Sequence, residues 1–330
     1  MADEKAAVFQ TVQIGVESTP GVKVPANRKL VAVSLTPGAR TEDAPFSPSG
    51  SKYNYFSTLL KAWGEFGISG QMTYNEIVYL LQCLLAGAAP VQQGATTAYK
   101  WGFTSNTTAA DTVKTLTIEQ GDADSAWRMS GARVSGVTFD FSRNGVTING
   151  SGIGGQLMVE EAGGGAIVMT PSPTSVDPKP LNPIDLKFYM ADTQAGLASA
   201  TAMTRGFSMQ WSLTNKFGLA WPVGSDAFAV EGKPNYSGRL RVSTDAYGMA
   251  IMKALYNGAK KWFRIEAIGE TIADTYKHKF TLDFPAQIQS ASDPTADENV
   301  LKIEYGLLPL HDTTWGKAMQ IDVITNLAAL

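Results

Sequence analysis

Few residues in this chain have the types and spacing that chemistry needs. It has two histidines, His278 and His311, and one cysteine, Cys83. A single cysteine excludes an intrachain disulfide framework and a Cys-rich metal site. A Ser–His–Asp set could draw on either histidine. However, His278 lies in Tyr276-Lys277-His278-Lys279, beside two cations, and no residue is marked as its nucleophile. It reads as a surface histidine on a strand edge. Gly150-Ser151-Gly152-Ile153-Gly154-Gly155 matches G-x-G-x-x-G, but a dinucleotide loop must open a crossover helix. Here only Gln156 to Ala162 separates it from Gly163-Gly164-Gly165, so a bend or strand end is the better reading. Asp122-Ala123-Asp124 opens like a calcium loop, yet Trp127 stands where that loop needs Gly and Arg133 where it needs Glu. Glu160-Glu161 beside the glycines reads as a solvated face. A P-loop, a G-x-S-x-G elbow and H-E-x-x-H are all missing. The expectation is a protein that is not an enzyme and carries no cofactor or metal.

The elements that could position a site are mostly strands. Val137, Phe139 and Phe141 alternate with Thr138, Asp140 and Ser142; Phe280, Leu282 and Phe284 alternate with Thr281 and Asp283. Such a period of two places apolar residues on one face of a strand. Phe207, Met209, Trp211 and Leu213 form another such face, and Asn144-Gly145 signals a hairpin. Two helices interrupt the pattern. Thr73-x-x-Glu76 is a capping box, and Ile77, Leu80, Leu81, Leu84 and Leu85 make a half-buried stripe ending near Gly87. The second helix starts at Ser243-Thr244-Asp245, carries Tyr247, Ile251, Ala254 and Leu255, and stops at Asn257-Gly258. Cys83, inside the first helix, reads as a small buried hydrophobe.

The 330 residues are 44% hydrophobic and only 17% charged, which suits a folded core rather than disorder. A net charge of −3 leaves no basic excess to hold nucleic acid by counterion release. Apolar runs fall short of the ~18 residues a membrane helix needs, and the start Met-Ala-Asp-Glu-Lys has no apolar stretch behind it, so neither a membrane segment nor a secretory signal is expected. Gly163-Gly164-Gly165, then Pro171, Pro173, Pro178, Pro180 and Pro183, reads as a linker. It divides the chain into a first domain, 1–165, a linker, 166–183, and a second domain, 184–330.

The two domains look like copies. Ser69-Gly70 and a helix answer to Ser237-Gly238 and a helix. Leu116-Thr117-Ile118-Glu119 answers to Phe263-Arg264-Ile265-Glu266, and Val137–Phe141 to Phe280–Phe284. Three stretches stand outside the repeat: an N-terminal arm to about Asn27, a long insertion from Ala88 to Lys114, and a C-terminal tail from His311. Long loops of this kind are usually functional or mobile. One helix on an antiparallel sandwich, repeated twice, is the expected architecture.

Several segments resemble the major tail tube proteins of long-tailed, non-contractile bacteriophages. They are Glu17-Ser18-Thr19-Pro20-Gly21, Ala26-Asn27-Arg28-Lys29-Leu30, Phe46–Tyr53, Trp63-Gly64-Glu65, and Ser69–Leu81. The resemblance is best over residues 15–87. It implies a mainly β chain of two tandem tail-tube-like β-sandwich or barrel domains, each flanked by one α-helix. It further implies six such domains per ring, hence three chains in a homotrimeric, pseudo-hexameric ring. Rings would stack around a tape-measure protein and meet tail-terminator and tip proteins. Phage DNA would pass non-specifically through the lumen of the virion tail, after synthesis of the chain in the host cytoplasm. Because basic walls would trap DNA, Glu119, Asp140, Glu266 and Asp283, set away from apolar faces, are candidates to line that lumen. The insertion and the N-terminal arm are candidates for contacts between rings. Competing readings are a β-sandwich glycan-binding module of a phage or bacterial surface, a glycosidase with two convergent carboxylates, and the single-domain tube of a secretion system.

Overall fold

Among the described residues strands dominate and two α-helices interrupt them. The computed structural model describes residues 10–122, 126–161, 163–224 and 227–330. In the first half the elements are β1 (Thr11–Val16), β2 (Arg28–Leu30), β3 (Val33–Phe46), β4 (Phe56–Gln71), α1 (Glu76–Leu84), β5 (Ala86–Gly87), β6 (Val91–Gln92), β7 (Tyr99–Thr104), β8 (Leu116–Gly121), β9 (Ala126–Ser142) and β10 (Gly145–Gly154). After β11 (Thr174–Ser175) come β12 (Leu186–Ala191), β13 (Gly206–Thr214), β14 (Phe217–Ala220), β15 (Phe228–Glu231), β16 (Asn235–Ser243), α2 (Ala246–Tyr256), β17 (Lys260–Ala273), β18 (Tyr276–Ala291), β19 (Thr295–Asp297), β20 (Val300–Pro309) and β21 (Gln320–Thr325). No helix among the described residues is long and apolar enough to cross a membrane.

The halves repeat one antiparallel ladder. In the first the order is β3–β4–β10–β9–β8–β1. In the second it is β13–β16–β20–β18–β17–β12. Each helix follows the second strand of its ladder, and α1 packs on β9 as α2 packs on β18. The long strands β9 and β18 serve two layers. Their N-terminal parts pair with the outer strands β8 and β17, their C-terminal parts with the inner strands β10 and β20. All three sequence matches fall on equivalent strands, two of them at equivalent positions. The third is out of step: Val137–Phe141 pairs with β10, whereas Phe280–Phe284 pairs with β17. Alternation reports a strand face, and both stretches bury one, but it carries no information about position along a strand that spans two layers.

One apolar core runs through both halves. Phe139 of β9 stacks on Trp211 of β13 at 5.6 Å and meets Phe280 of β18 edge-on at 6.2 Å. Cys83 is buried in α1, all nine of whose residues are buried. His278 is also buried, against Tyr74, rather than on the surface. Its flanking lysines occupy the other face of β18, and the alternation carries His278 inward. Gly150–Gly154 lies within β10, so the glycine motif is a strand. Of Asp122-Ala123-Asp124, the last two lie outside the described residues.

The segments outside the repeat are built into the fold. Prolines keep 166–183 from joining a sheet interior, yet it is no free linker: Ile167, Met169, Val176 and Leu181 are buried, and β11 runs parallel to β2. The arm contributes β1, paired on both sides with β2 and β8; residues 1–9 lie outside the described residues. The insertion contributes β7, and the C-terminal tail contributes β21, which pairs with both β7 and β18. Trp101 of β7 is buried and donates its indole N–H to the Leu327 carbonyl at 2.8 Å.

The capping box at α1 forms only in half. Thr73 Oγ1 accepts from the Glu76 amide at 3.2 Å. The Glu76 carboxylate turns away and accepts from the amides of Val31 (2.6 Å), Ala32 (3.1 Å) and Val33 (2.9 Å), which holds the bend between β2 and β3. Burial pushes its pKa up, and these three amides oppose the shift. The α2 cap is complete, with Asp245 accepting from the Tyr247 and Gly248 amides at 3.1 Å. Gly258, at φ +60, closes α2 in the left-handed region. Gly87 has no such role: the chain leaves α1 extended at Leu85.

Candidate assembly interface

The two halves are joined edge to edge by β9 and β13. Six residue pairs make this antiparallel junction, from Ser142 opposite Ser208 to Val137 opposite Leu213. One side of it is the core: Val137, Phe139 and Phe141 against Leu213, Trp211 and Met209, all buried. The other side is polar: Thr138, Asp140 and Ser142 against Ser212, Gln210 and Ser208, with Thr138 and Ser212 hydroxyls 2.8 Å apart. The junction makes a single inner run of strands, β3–β4–β10–β9–β13–β16–β20–β18, which β19 extends alongside β20.

This run has two ends. At one, β3 pairs with β4 alone among the described strands. At the other, β17 leaves β18 after the pair Lys260–Gln287, while β20 stays paired to Ala291 on the far side. The edge from Ile288 through β19 is therefore open. In the repeat, β3 is the counterpart of β13, and β18 the counterpart of β9. The open edges are thus the same two kinds of strand that already meet inside the chain. Unpaired strand edges are templates for pairing with another chain.

Of the four carboxylates singled out from the sequence, Asp140 alone lies on the polar face of this inner run, between Thr147 and Gln210. Glu119 and Glu266 belong to the outer strands β8 and β17, and Asp283 to the part of β18 that pairs with β17 and β21, away from the inner run. Glu119 is fully buried and accepts from Arg128 Nε at 3.0 Å and from the Thr170 amide at 2.8 Å. Glu266 is buried between Lys279 Nζ (2.6 Å) and the Tyr189 hydroxyl (2.9 Å). Burial works against its charge, but those two partners outweigh it and hold its pKa below the ordinary value. Tyr189 is pushed up to about 12 by burial and by the carboxylate it donates to. Asp283 takes two parallel bonds of 2.7 Å from Arg264, which raise the pKa of that guanidinium. Residues pointing away from an apolar face still divide between two sheets, and period-two reasoning does not separate them.

A feature missed in the sequence projects from one rim of the sheet. The β3–β4 hairpin carries Phe46, Tyr53, Tyr55, Phe56, Leu59 and Leu60 on its exposed tip, with Phe46 and Phe56 stacked at 4.9 Å. The signal was available: Tyr53 to Leu60 places apolar residues side by side where alternation breaks. Soluble monomers seldom expose so contiguous an apolar patch without a partner. The shorter β14–β15 hairpin stands beside it, with Val223 and Phe228 exposed. A groove of ≈ 1070 Å³ separates the two, and Trp63 meets Trp221 edge-on across it at 5.7 Å.

No group of three or more His, Cys, Asp or Glu side chains among the described residues could hold a metal ion. No protein-family model matches the chain, and neither does any curated protein.

Proposed function

We propose that this chain is a self-assembling tube subunit of a phage tail, three copies closing a ring whose inner barrel conducts DNA. One observation carries the reading: the β9–β13 junction is a contact that the chain makes once and has the edges to make again. The operation that takes the first half onto the second, applied once more, brings β3 of a second chain onto the Ile288–β19 edge of the first. Such heterologous contacts close into rings when the rotation closes. Three chains contribute eight inner strands each. At ~4.8 Å per strand and a tilt of ~40°, the barrel backbone would be roughly 50 Å across, which leaves room for a hydrated duplex. The apolar face is covered within each chain, so the polar face turns to the lumen.

The exposed hairpin tips supply a second kind of contact, along the tube axis, where six apolar side chains of one ring can be covered by the next. Tape-measure, terminator and tip proteins are the further partners of this reading, and the virion tail its location.

A paired-cysteine variant tests the ring. Thr36 of β3 and Gln289 of β18 are both exposed, at opposite ends of the inner run, and the native Cys83 is buried. Thr36→Cys/Gln289→Cys protein, treated with a short bis-maleimide, should give interchain products that stop at three chains. Products confined to single chains at all protein concentrations would overturn the ring.

A further inference from the structure

The polar face of the inner sheet carries mostly uncharged groups, such as Ser34, Ser69, Thr147, Asn149, Ser212 and Gln287. Arg40, Arg239, Arg241 and Lys302 also lie on it, each with a carboxylate partner. Arg40 Nε lies 2.8 Å from Glu65, Arg239 3.7 Å from Glu304, and Arg241 3.2 Å from Asp297. Lys302 is covered by the Phe207 ring at 3.9 Å and bonds Asp297 (3.0 Å) and Glu298 (3.1 Å). Arg133 and Arg143 sit at the two rims, Arg133 over the Phe217 ring. With Asp140, these four cations meet five carboxylates, the pair Lys61–Glu42 continues the same face of the β3–β4 ladder, and Arg133, opposite Ile153, brings the face to charge balance.

Stability does not account for this pairing. The Arg40 and Arg239 side chains are 55% and 67% exposed, and ion pairs so exposed contribute little to folding. Their position matters more. An unpaired arginine on a wall facing duplex DNA releases counterions and holds a phosphate, with a salt slope of about −0.9 per contact. A carboxylate already on the guanidinium must be displaced first, and it repels the phosphate.

We propose that Glu65, Glu304 and Asp297 are guard residues that mask Arg40, Arg239 and Arg241 from DNA, making the inner face non-adhesive to a polyanion. This rests on the conduit reading. Glu65 is kept ionised by the Trp63 indole N–H and by Arg40, with burial opposing them. Asp297 is kept ionised chiefly by Lys302.

The test uses the full chain, assembled as purified, and a short fluorescent DNA duplex. Glu65→Gln/Glu304→Gln protein frees two arginines, so it should bind the duplex at least tenfold more tightly than wild type at low salt. Its salt slope should be steeper by about 2, near two contacts of 0.9 each. Adding Arg40→Gln and Arg239→Gln to that background should restore wild-type behaviour. Unchanged affinity, or a gain that survives loss of both arginines, overturns the guard assignment. Electron microscopy of the same samples keeps the two readings apart: wild-type protein without rings refutes the conduit, whereas rings with no gain in affinity refute the guards alone.

Discussion

A proline at Gln289 separates folding of the chain from its assembly. Gln289 is the extra residue of a bulge: β20 pairs with Ile288 and Ser290 on either side of it, and Gln289 itself is exposed. Gln289 has no partner residue in that register, so proline there removes a backbone donor at the margin of the sheet while the paired residues Ile288 and Ser290 stay in place. A ring of three chains contains three such junctions. One hydrogen bond lost at each, at ~1 kcal/mol, costs the ring about 3 kcal/mol, or roughly 150-fold in its association constant. Because the half-assembly concentration of a trimer varies as the square root of that constant, it should rise about tenfold. Sedimentation velocity across a dilution series reads this directly, with Gln289→Ala as the control that keeps the donor. The monomer should unfold at the same urea concentration as wild type. Unchanged ring assembly in a folded Gln289→Pro protein would refute the claim that this edge is used.

Glu76→Gln should destabilise the fold by about 1–3 kcal/mol in urea, because an amide group replaces the oxygen that accepts from Val33 and leaves that buried donor unpaired, while the remaining oxygen still serves Val31 and Ala32; an unchanged midpoint would mean the carboxylate does not hold that bend. Glu266 has a depressed pKa, so its stabilisation is present above its ordinary value of 4.5 and is lost as pH falls through the lower folded value. Wild type should therefore exceed Glu266→Gln in urea midpoint at pH 7, and the gap should narrow steadily as pH falls below 4.5. Replacing Tyr53, Tyr55, Leu59 and Leu60 by serine should leave single rings that do not stack, visible as short particles rather than tubes by electron microscopy.

Much of this architecture is legible in the residues, and the rest is hidden for definable reasons. Alternation marks Val137–Phe141 and Met209–Leu213 as one-faced strands, and β9 and β13 carry them against each other; Phe207, expected on the same face, sits at a bulge and turns out of it to cover Lys302. The stripe Ile77–Leu84 marks α1. The order of elements exposes the duplication, since topology follows chain order. Pairing partners are another matter. Nothing local in Tyr99–Thr104 announces that it completes a sheet with residues more than two hundred positions away, at Gln320–Thr325. The Glu76 carboxylate satisfies a bend 45 residues upstream in place of its own helix end. Buried ion pairs such as Arg264–Asp283 are equally non-local: the sequence displays a charged residue on a strand, and only the fold supplies the cation that allows it to be buried. For that reason one of four lumen candidates, Asp140, lies on the inner face, whereas the uncharged carpet around it is written plainly in the Ser and Thr positions of each inner strand.

Native mass spectrometry with electron microscopy on purified wild-type protein decides whether the chain closes rings. The expected particle is about 106 kDa, three times 35.2 kDa, seen end-on as a sixfold-like annulus that stacks into tubes as concentration rises. A solitary 35.2 kDa species that persists at high concentration, with its β3 and β18 edges unpaired, would contradict ring closure.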